Sequence, residues 1–167
     1  MIKTFNALFV TMFGIGKLKP IPGTFGSLAT LIILYFCFHK LEINSNIMLL
    51  VLVIIFIYSF SAVTSHTNDK ENKDPGEIVI DEFIGQSIPI YLYEISHGRD
   101  KDPSEALIFY AVCFVLFRYF DIMKPFPVSY FDKKHKNSFG VIMDDVCAGL
   151  YVVLSIFCVM ILKSYIL

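Results

Sequence analysis

From residue 43 to residue 68 the chain carries no Asp, Glu, Lys or Arg. A helix of about 20 mostly apolar residues is long enough to cross the hydrocarbon core of a bilayer. The stretch therefore predicts a transmembrane helix over about 47–65. The whole chain of 167 residues agrees, with 56% apolar and only 17% charged residues, where about a quarter is usual. Mean hydropathy is +0.65. A formal net charge of −1 lacks the basic footprint of a nucleic-acid binder. The length suggests one domain, residues 1–167.

Other spans follow from the same reading. Residues 1–13 are apolar but too short to cross, and predict an interfacial helix. Residues 14–23 hold Gly14, Gly16, Lys17, Lys19, Pro20, Pro22 and Gly23, a loop. Thr24 then reads as an N-cap with Ser27 at the third helical position, opening a first crossing over about 25–41. Asp74-Pro75-Gly76-Glu77 has the chemistry of a helix start, with Asp74 as cap, Pro75 first and Glu77 third. That helix runs to about Tyr93, and Pro89 should kink it. It crosses only if Asp81 and Glu82 sit near one surface. Asp102 and Pro103 open the next helix, which ends before Pro125. Residues 128–140 read as a polar, basic loop, and the last helix starts near Val141 and crosses to Lys163. The fold class expected is all-α, a multi-pass membrane bundle of four to five crossings.

Threading these spans puts the loops 14–24, 66–82 and 121–145 on one face. On that side lie Lys3, Lys17, Lys19, Lys70, Lys73, Lys124, Lys133, Lys134 and Lys136, nine positive charges against four opposite, Lys40, Arg99, Lys101 and Lys163. The positive-inside rule makes the first face cytoplasmic.

The same face collects Asp81, Glu82, Asp121, Asp144 and Asp145. Ionised carboxylates in apolar surroundings are costly unless paired or bound to a metal. Five acids converging on two cations, Arg118 and Lys124, call for a hard divalent ion. Mg²⁺ takes oxygen ligands and suits carboxylates with a substrate phosphate. Arg118 offers a planar fork for phosphate oxygens and Lys124 a point charge. Thr24 and Ser27 at a helix start offer hydroxyls and backbone N–H groups to an anion. Each signal alone has a plainer reading. Arg118 and Asp121 could be an interhelical ion pair, Asp144-Asp145 a cap, and the Gly-Thr-Phe-Gly-Ser turn merely a turn. Their convergence favours a metal-assisted phosphate-ester site. Cys37, Cys113, Cys147 and Cys158 lie in apolar runs and read as buried small hydrophobes. His66, His97 and His135 read as surface residues, and His39 as interfacial.

Four stretches carry a family resemblance. Residues 19–27, KPIPGTFGS, residues 74–85, DPGEIVIDEFIG, residues 117–127, FRYFDIMKPFP, and residues 140–149, GVIMDDVCAG, resemble in order and spacing the signatures of the phosphatidylglycerophosphatase A family. The resemblance implies a Mg²⁺-dependent lipid phosphatase of the bacterial inner membrane. Its substrate would be phosphatidylglycerophosphate, cleaved to phosphatidylglycerol and phosphate in phospholipid synthesis. Asp81, Glu82, Asp121, Asp144 and Asp145 would hold metal, with one acid as base. Arg118 and Lys124 would neutralise the phosphoryl group, and Thr24 and Ser27 would orient it. A phospho-aspartyl route stays open. The rival class is an ion-coupled transporter, since intramembrane carboxylates also mark ion paths, but the chain is short and shows no inverted repeat. A non-catalytic scaffold would leave the acids unexplained.

Overall fold

The computed structural model describes residues 2–68, 75–97 and 102–166. Seven α-helices and one short 3₁₀ turn make up the regular structure there: α1 (Ile2–Val10), the turn Ile15–Lys17, α2 (Pro22–His39), α3 (Ser45–Thr67), α4 (Ile80–His97), α5 (Pro103–Met123), α6 (Val128–Lys134) and α7 (Ser138–Ile166). The expected all-helical bundle is what is found. Four helices, α2, α3, α5 and α7, are long and apolar enough to cross a membrane. Their outward faces carry Ile32, Ile54, Ile57, Ile108, Val115, Leu154 and Phe157, all exposed. That is the surface a lipid solvent selects.

α4 escapes the hydropathy criterion, yet it lies at the centre. From residue 78 to residue 90 nearly every side chain is buried. With 18 residues it is about 27 Å long at 1.5 Å per residue. Its start lies with the starts of α2 and α7 and the end of α5, and its end with the end of α2 and the starts of α3 and α5. Hydropathy missed it because neighbouring helices, not lipid, solvate it. Asp81 and Glu82 sit at one end and Glu94 at the other, which answers the condition on crossing set by the sequence.

α4 and α7 meet backbone to backbone. The space a Cβ at Gly149 would need is occupied by the Gly85 carbonyl oxygen, and a Cβ at Gly85 would collide with the Asp145 carbonyl and lie against the Phe117 ring. Small residues permit such contact between membrane helices. α4 continues through Pro89. Proline has no N–H to give the carbonyl four residues back, which here is Gly85. The carbonyl without an intrahelical donor is therefore the one that α7 packs against.

Several boundaries differ from expectation. α4 starts at Ile80, not Pro75, so Asp81 and Glu82 occupy its first turn rather than its second. The Val79 N–H donates to the Val10 carbonyl (2.9 Å) and the Ile78 N–H to the Pro75 carbonyl (3.0 Å), which holds residues 75–79 outside the helix. The expected cap Asp74 lies outside the described residues, as do Lys70, Lys73, Arg99 and Lys101 of the charge count and the side chain of His97. α2 starts at Pro22 with Ile21 at the cap position, not Thr24. A first-position proline is preorganised for a helix and lacks an N–H that would be orphaned anyway. α5 begins as expected, with Asp102 accepting from the Ser104 N–H at 3.1 Å. The expected loop 128–140 contains α6, and α7 starts at Ser138, three residues before Val141. α1 lies against α3, with the Tyr58 hydroxyl donating to buried Asn6 (2.6 Å) and Phe9 edge-on to Tyr58. Two histidines read as surface residues are engaged. His66 is 2.9 Å from Glu77 with an 11% exposed side chain, and His135 is half-buried among Tyr130, Phe131 and Phe139. His39 is 3.3 Å from buried Glu94, which also accepts from the Tyr110 hydroxyl at 2.9 Å.

A methyl at Gly85 tests the contact between α4 and α7. Gly85→Ala must push the helices apart, and overpacking of this kind costs about 1–3 kcal/mol. The detergent-solubilised variant is expected to melt several degrees lower, which a thermal unfolding scan reads directly.

Candidate active site

Three helix starts and one helix end converge at one end of the bundle. Asp81 and Glu82 come from the first turn of α4, and Asp144 and Asp145 from the second turn of α7. Asp81 and Glu82 lie at the positive end of a helix dipole, which favours negative charge. Arg118 and Asp121 come from the last turns of α5, and Lys124 caps that helix in a left-handed conformation with φ 44°. α2 contributes Pro22 and Gly23. Together these residues border a pocket of about 250 Å³.

One carboxylate oxygen each from Asp81, Glu82 and Asp145 lies within 4.8 Å of the others. Asp81 and Asp145 are 7% and 4% exposed. The other two acids face cations. The Arg118 Nη1 is 2.7 Å from Asp121 Oδ2 and 3.8 Å from Glu82 Oε1. It also donates to the Ser27 hydroxyl at 3.5 Å, while that hydroxyl donates to the Gly23 carbonyl at 2.9 Å. Lys124 Nζ donates to Asp132 Oδ1 at 2.6 Å and Asp144 Oδ2 at 3.1 Å. Burial pulls the Lys124 pKa down, but the Asp132 hydrogen bond and the charge and hydrogen bond of Asp144 outweigh it. The ammonium stays charged well above its ordinary range. A Cβ on Gly23 would meet Glu82 Oε1 and lie 3.1 Å from the Arg118 Nη1, so a side chain there would displace the Glu82 carboxylate.

The residues singled out in the sequence thus meet, in two tiers. Asp81, Glu82 and Asp145 form the close trio. Asp121 and Asp144 tie Arg118 and Lys124 to it. Ser27 supports Arg118, whereas Thr24 lies in the first turn of α2 and does not border the pocket. Asp132, which the sequence places in a basic loop just after the third family stretch, is a partner of Lys124, brought there by α6. Among the described residues, six carboxylates, Asp81, Glu82, Asp121, Asp132, Asp144 and Asp145, lie around two cations, Arg118 and Lys124. An all-oxygen trio of this kind suits a hard divalent ion. The buried Glu82 Oε2 has no hydrogen-bond partner, which fits the same reading.

The sequence model of the family described as phosphatidylglycerophosphatase A matches residues 8–160. The chain belongs to the phosphatidylglycerophosphatase A family. The match covers all four acidic and glycine-rich stretches and every residue of the pocket. A phosphatidylglycerophosphatase A of Haemophilus influenzae is 38% identical over 152 residues, 91% of this chain and 86% of the relative. One of Escherichia coli is 31% identical over 144 residues, 86% of this chain and 76% of the relative. A Bacteroides thetaiotaomicron protein named as a candidate phosphatidylinositol-3-phosphatase is 31% identical over 147 residues, 86% of each chain. No solved structure is a significant match. The family is one of phosphatases, and the chain is an enzyme of that class.

Arg118 contacts three site groups through Nη1, while its buried Nε has no partner. Arg118→Lys keeps the charge and loses the planar donors. Turnover of a phospholipid monoester is expected to fall about a hundredfold, the scale for losing one oriented donor at a developing oxyanion. Circular dichroism should be unchanged. Near-wild-type turnover would reduce Arg118 to a structural ion pair.

Proposed function

We propose that the protein is a Mg²⁺-dependent phosphatidylglycerophosphatase, releasing phosphate from phosphatidylglycerophosphate to leave phosphatidylglycerol. The observation that carries this reading is the Asp81, Glu82 and Asp145 trio, within 4.8 Å, beside Arg118 in a pocket at one end of a membrane bundle.

Asp81, Glu82 and Asp145 would hold the ion. Bound there, it would neutralise charge on the phosphoryl oxygens and lower the pKa of a coordinated water. Arg118 would face the phosphoryl oxygens, held at its angle by Asp121 and Ser27. Asp144 and Asp132 would keep Lys124 at the rim, charged and within reach of a second oxygen. Gly23 leaves room for the Glu82 carboxylate and the Arg118 guanidinium beside the start of α2, whose N–H groups would face the phosphate. One carboxylate of the cluster would take the proton from the attacking water. The lipid-facing surfaces of α2 and α5 keep the acyl chains in the bilayer while the headgroup enters the pocket.

Transport is less well supported. Between the acidic end and Glu94 the bundle holds Ile90, Cys113 and Phe117, all fully buried, with Gln86 and Ser87 as buried polar side chains of α4. The Bacteroides relative makes an inositol lipid phosphate the informative competing substrate. Purified protein in detergent is expected to release phosphate from phosphatidylglycerophosphate with Mg²⁺ and to stop in excess EDTA. Asp81→Asn should nearly abolish turnover while membrane insertion persists. Turnover undiminished by EDTA sinks the metal, and preference for phosphatidylinositol 3-phosphate sinks the substrate.

We further infer a bacterial inner-membrane location with the pocket facing the cytoplasm, supported by the nine-to-four charge asymmetry counted above. Single cysteines at Lys136 and at Asn46, in a background lacking the native four, are expected to differ in labelling by an impermeant thiol reagent on intact cells from which the outer membrane has been stripped. Asn46 should label and Lys136 should not; the reverse pattern inverts the topology.

A further inference from the structure

α4 carries five polar side chains into the bundle, Asp81, Glu82, Gln86, Ser87 and Glu94, of which Ser87 donates to the Phe83 carbonyl at 2.6 Å. Three have roles or partners already described. Gln86 is fully buried, and neither its Nε2 nor its Oε1 has a hydrogen-bond partner. An amide in that state is destabilising, because it has lost water and gained nothing. Among the described residues, the buried side-chain polar atoms lacking partners are Glu82 Oε2, Gln86 Nε2, Gln86 Oε1 and Arg118 Nε. They belong to three residues, two of which line the pocket. Gln86 stands four residues after Glu82, on the same helix face and one turn deeper, where side chains are neighbours. The four atoms are also complementary, with two donors, Gln86 Nε2 and Arg118 Nε, and two acceptors, Glu82 Oε2 and Gln86 Oε1. A buried water typically makes about three hydrogen bonds to groups of this kind.

We propose that Gln86 is a positioning residue of the acidic site, its amide holding the Glu82 Oε2 oxygen from beneath through one internal water and so fixing the carboxylate toward Asp81 and Asp145. The inference rests on the metal-dependent reading above. A carboxylate free to rotate about its last torsion presents its oxygens to a cation only part of the time. A hydrogen bond to one oxygen fixes the plane, and removing such outer partners of a metal ligand typically weakens metal binding about 10- to 100-fold. Because Gln86 lies below the pocket, it shapes the site without touching the lipid.

The test uses the full-length protein in detergent with Mn²⁺ as probe, free Mn²⁺ being followed by electron paramagnetic resonance. Gln86→Leu is expected to keep its fold and melt slightly below the wild-type temperature, since Glu82 Oε2 loses its water-mediated partner. Its Mn²⁺ dissociation constant should rise about tenfold. Under limiting Mg²⁺, kcat should fall while KM for the lipid stays near the wild-type value. Should Gln86→Leu not fold, Gln86→Met fills the space without branching and is read in the same way. Unchanged Mn²⁺ affinity and kcat in the variant, with wild-type protein binding the ion, overturn the inference and leave the metal reading intact. A lower melting temperature with unchanged Mn²⁺ affinity also overturns it, by making Gln86 purely structural. Failure of wild-type protein to bind Mn²⁺ overturns the metal reading and this inference together.

Discussion

The close approach of α4 to α7 is the contact on which the site depends. Gly149 fits against the Gly85 carbonyl, and Gly85 against the Asp145 carbonyl. The second contact involves the backbone of a site residue directly. Bringing the starts of two helices this close is what places carboxylates from both within 4.8 Å. Proline in α4 contributes to the same contact, since the Gly85 carbonyl it leaves undonated is the one facing α7. The packing and the chemistry are thus one arrangement, and neither glycine can grow a side chain without separating the acids.

Placing so many acids at the end of a membrane bundle is electrostatically demanding, and the fold meets the demand in three ways. Asp81 and Glu82 stand in the first turn of α4, where the helix dipole favours negative charge. Lys124 stands at the opposite kind of end, the C-terminus of α5, where a cation is favoured. Arg118 and Lys124 each hold two carboxylates at short range. Asp81, Glu82 and Asp145 bring a carboxylate oxygen each within 4.8 Å of the others, which is where a cation would bind.

α4 ties both ends of the molecule together. Its far end is held by His39 of α2 and Tyr110 of α5, both meeting Glu94. Its charged residues stand at its two ends, and between them Ile84, Gln86, Ser87 and Ile90 are buried against the neighbouring helices. The outer helices supply the hydrophobic surface, and α4 supplies the chemistry.

Much of this was legible in the chain. Charge-free runs marked α2, α3, α5 and α7, because lipid solvation is a property of local composition. The clustering of Asp81, Glu82, Arg118, Asp121, Lys124, Asp144 and Asp145 at one end followed from counting crossings, which needs only their number and direction. The family resemblance was carried by contiguous motifs. Other features depended on neighbours distant in sequence. The start of α4 moved to Ile80 because Val79 bonds to Val10, sixty-nine positions away. Asp132 became a partner of Lys124 through α6, and His66 left the surface for Glu77. The division of the five acids into a trio and two cation clamps, and the burial of Gln86 beneath them, rest on side-chain distances between helices. Hydropathy and motif spacing contain no such distances. They arise only when glycine surfaces and helix ends are packed against one another.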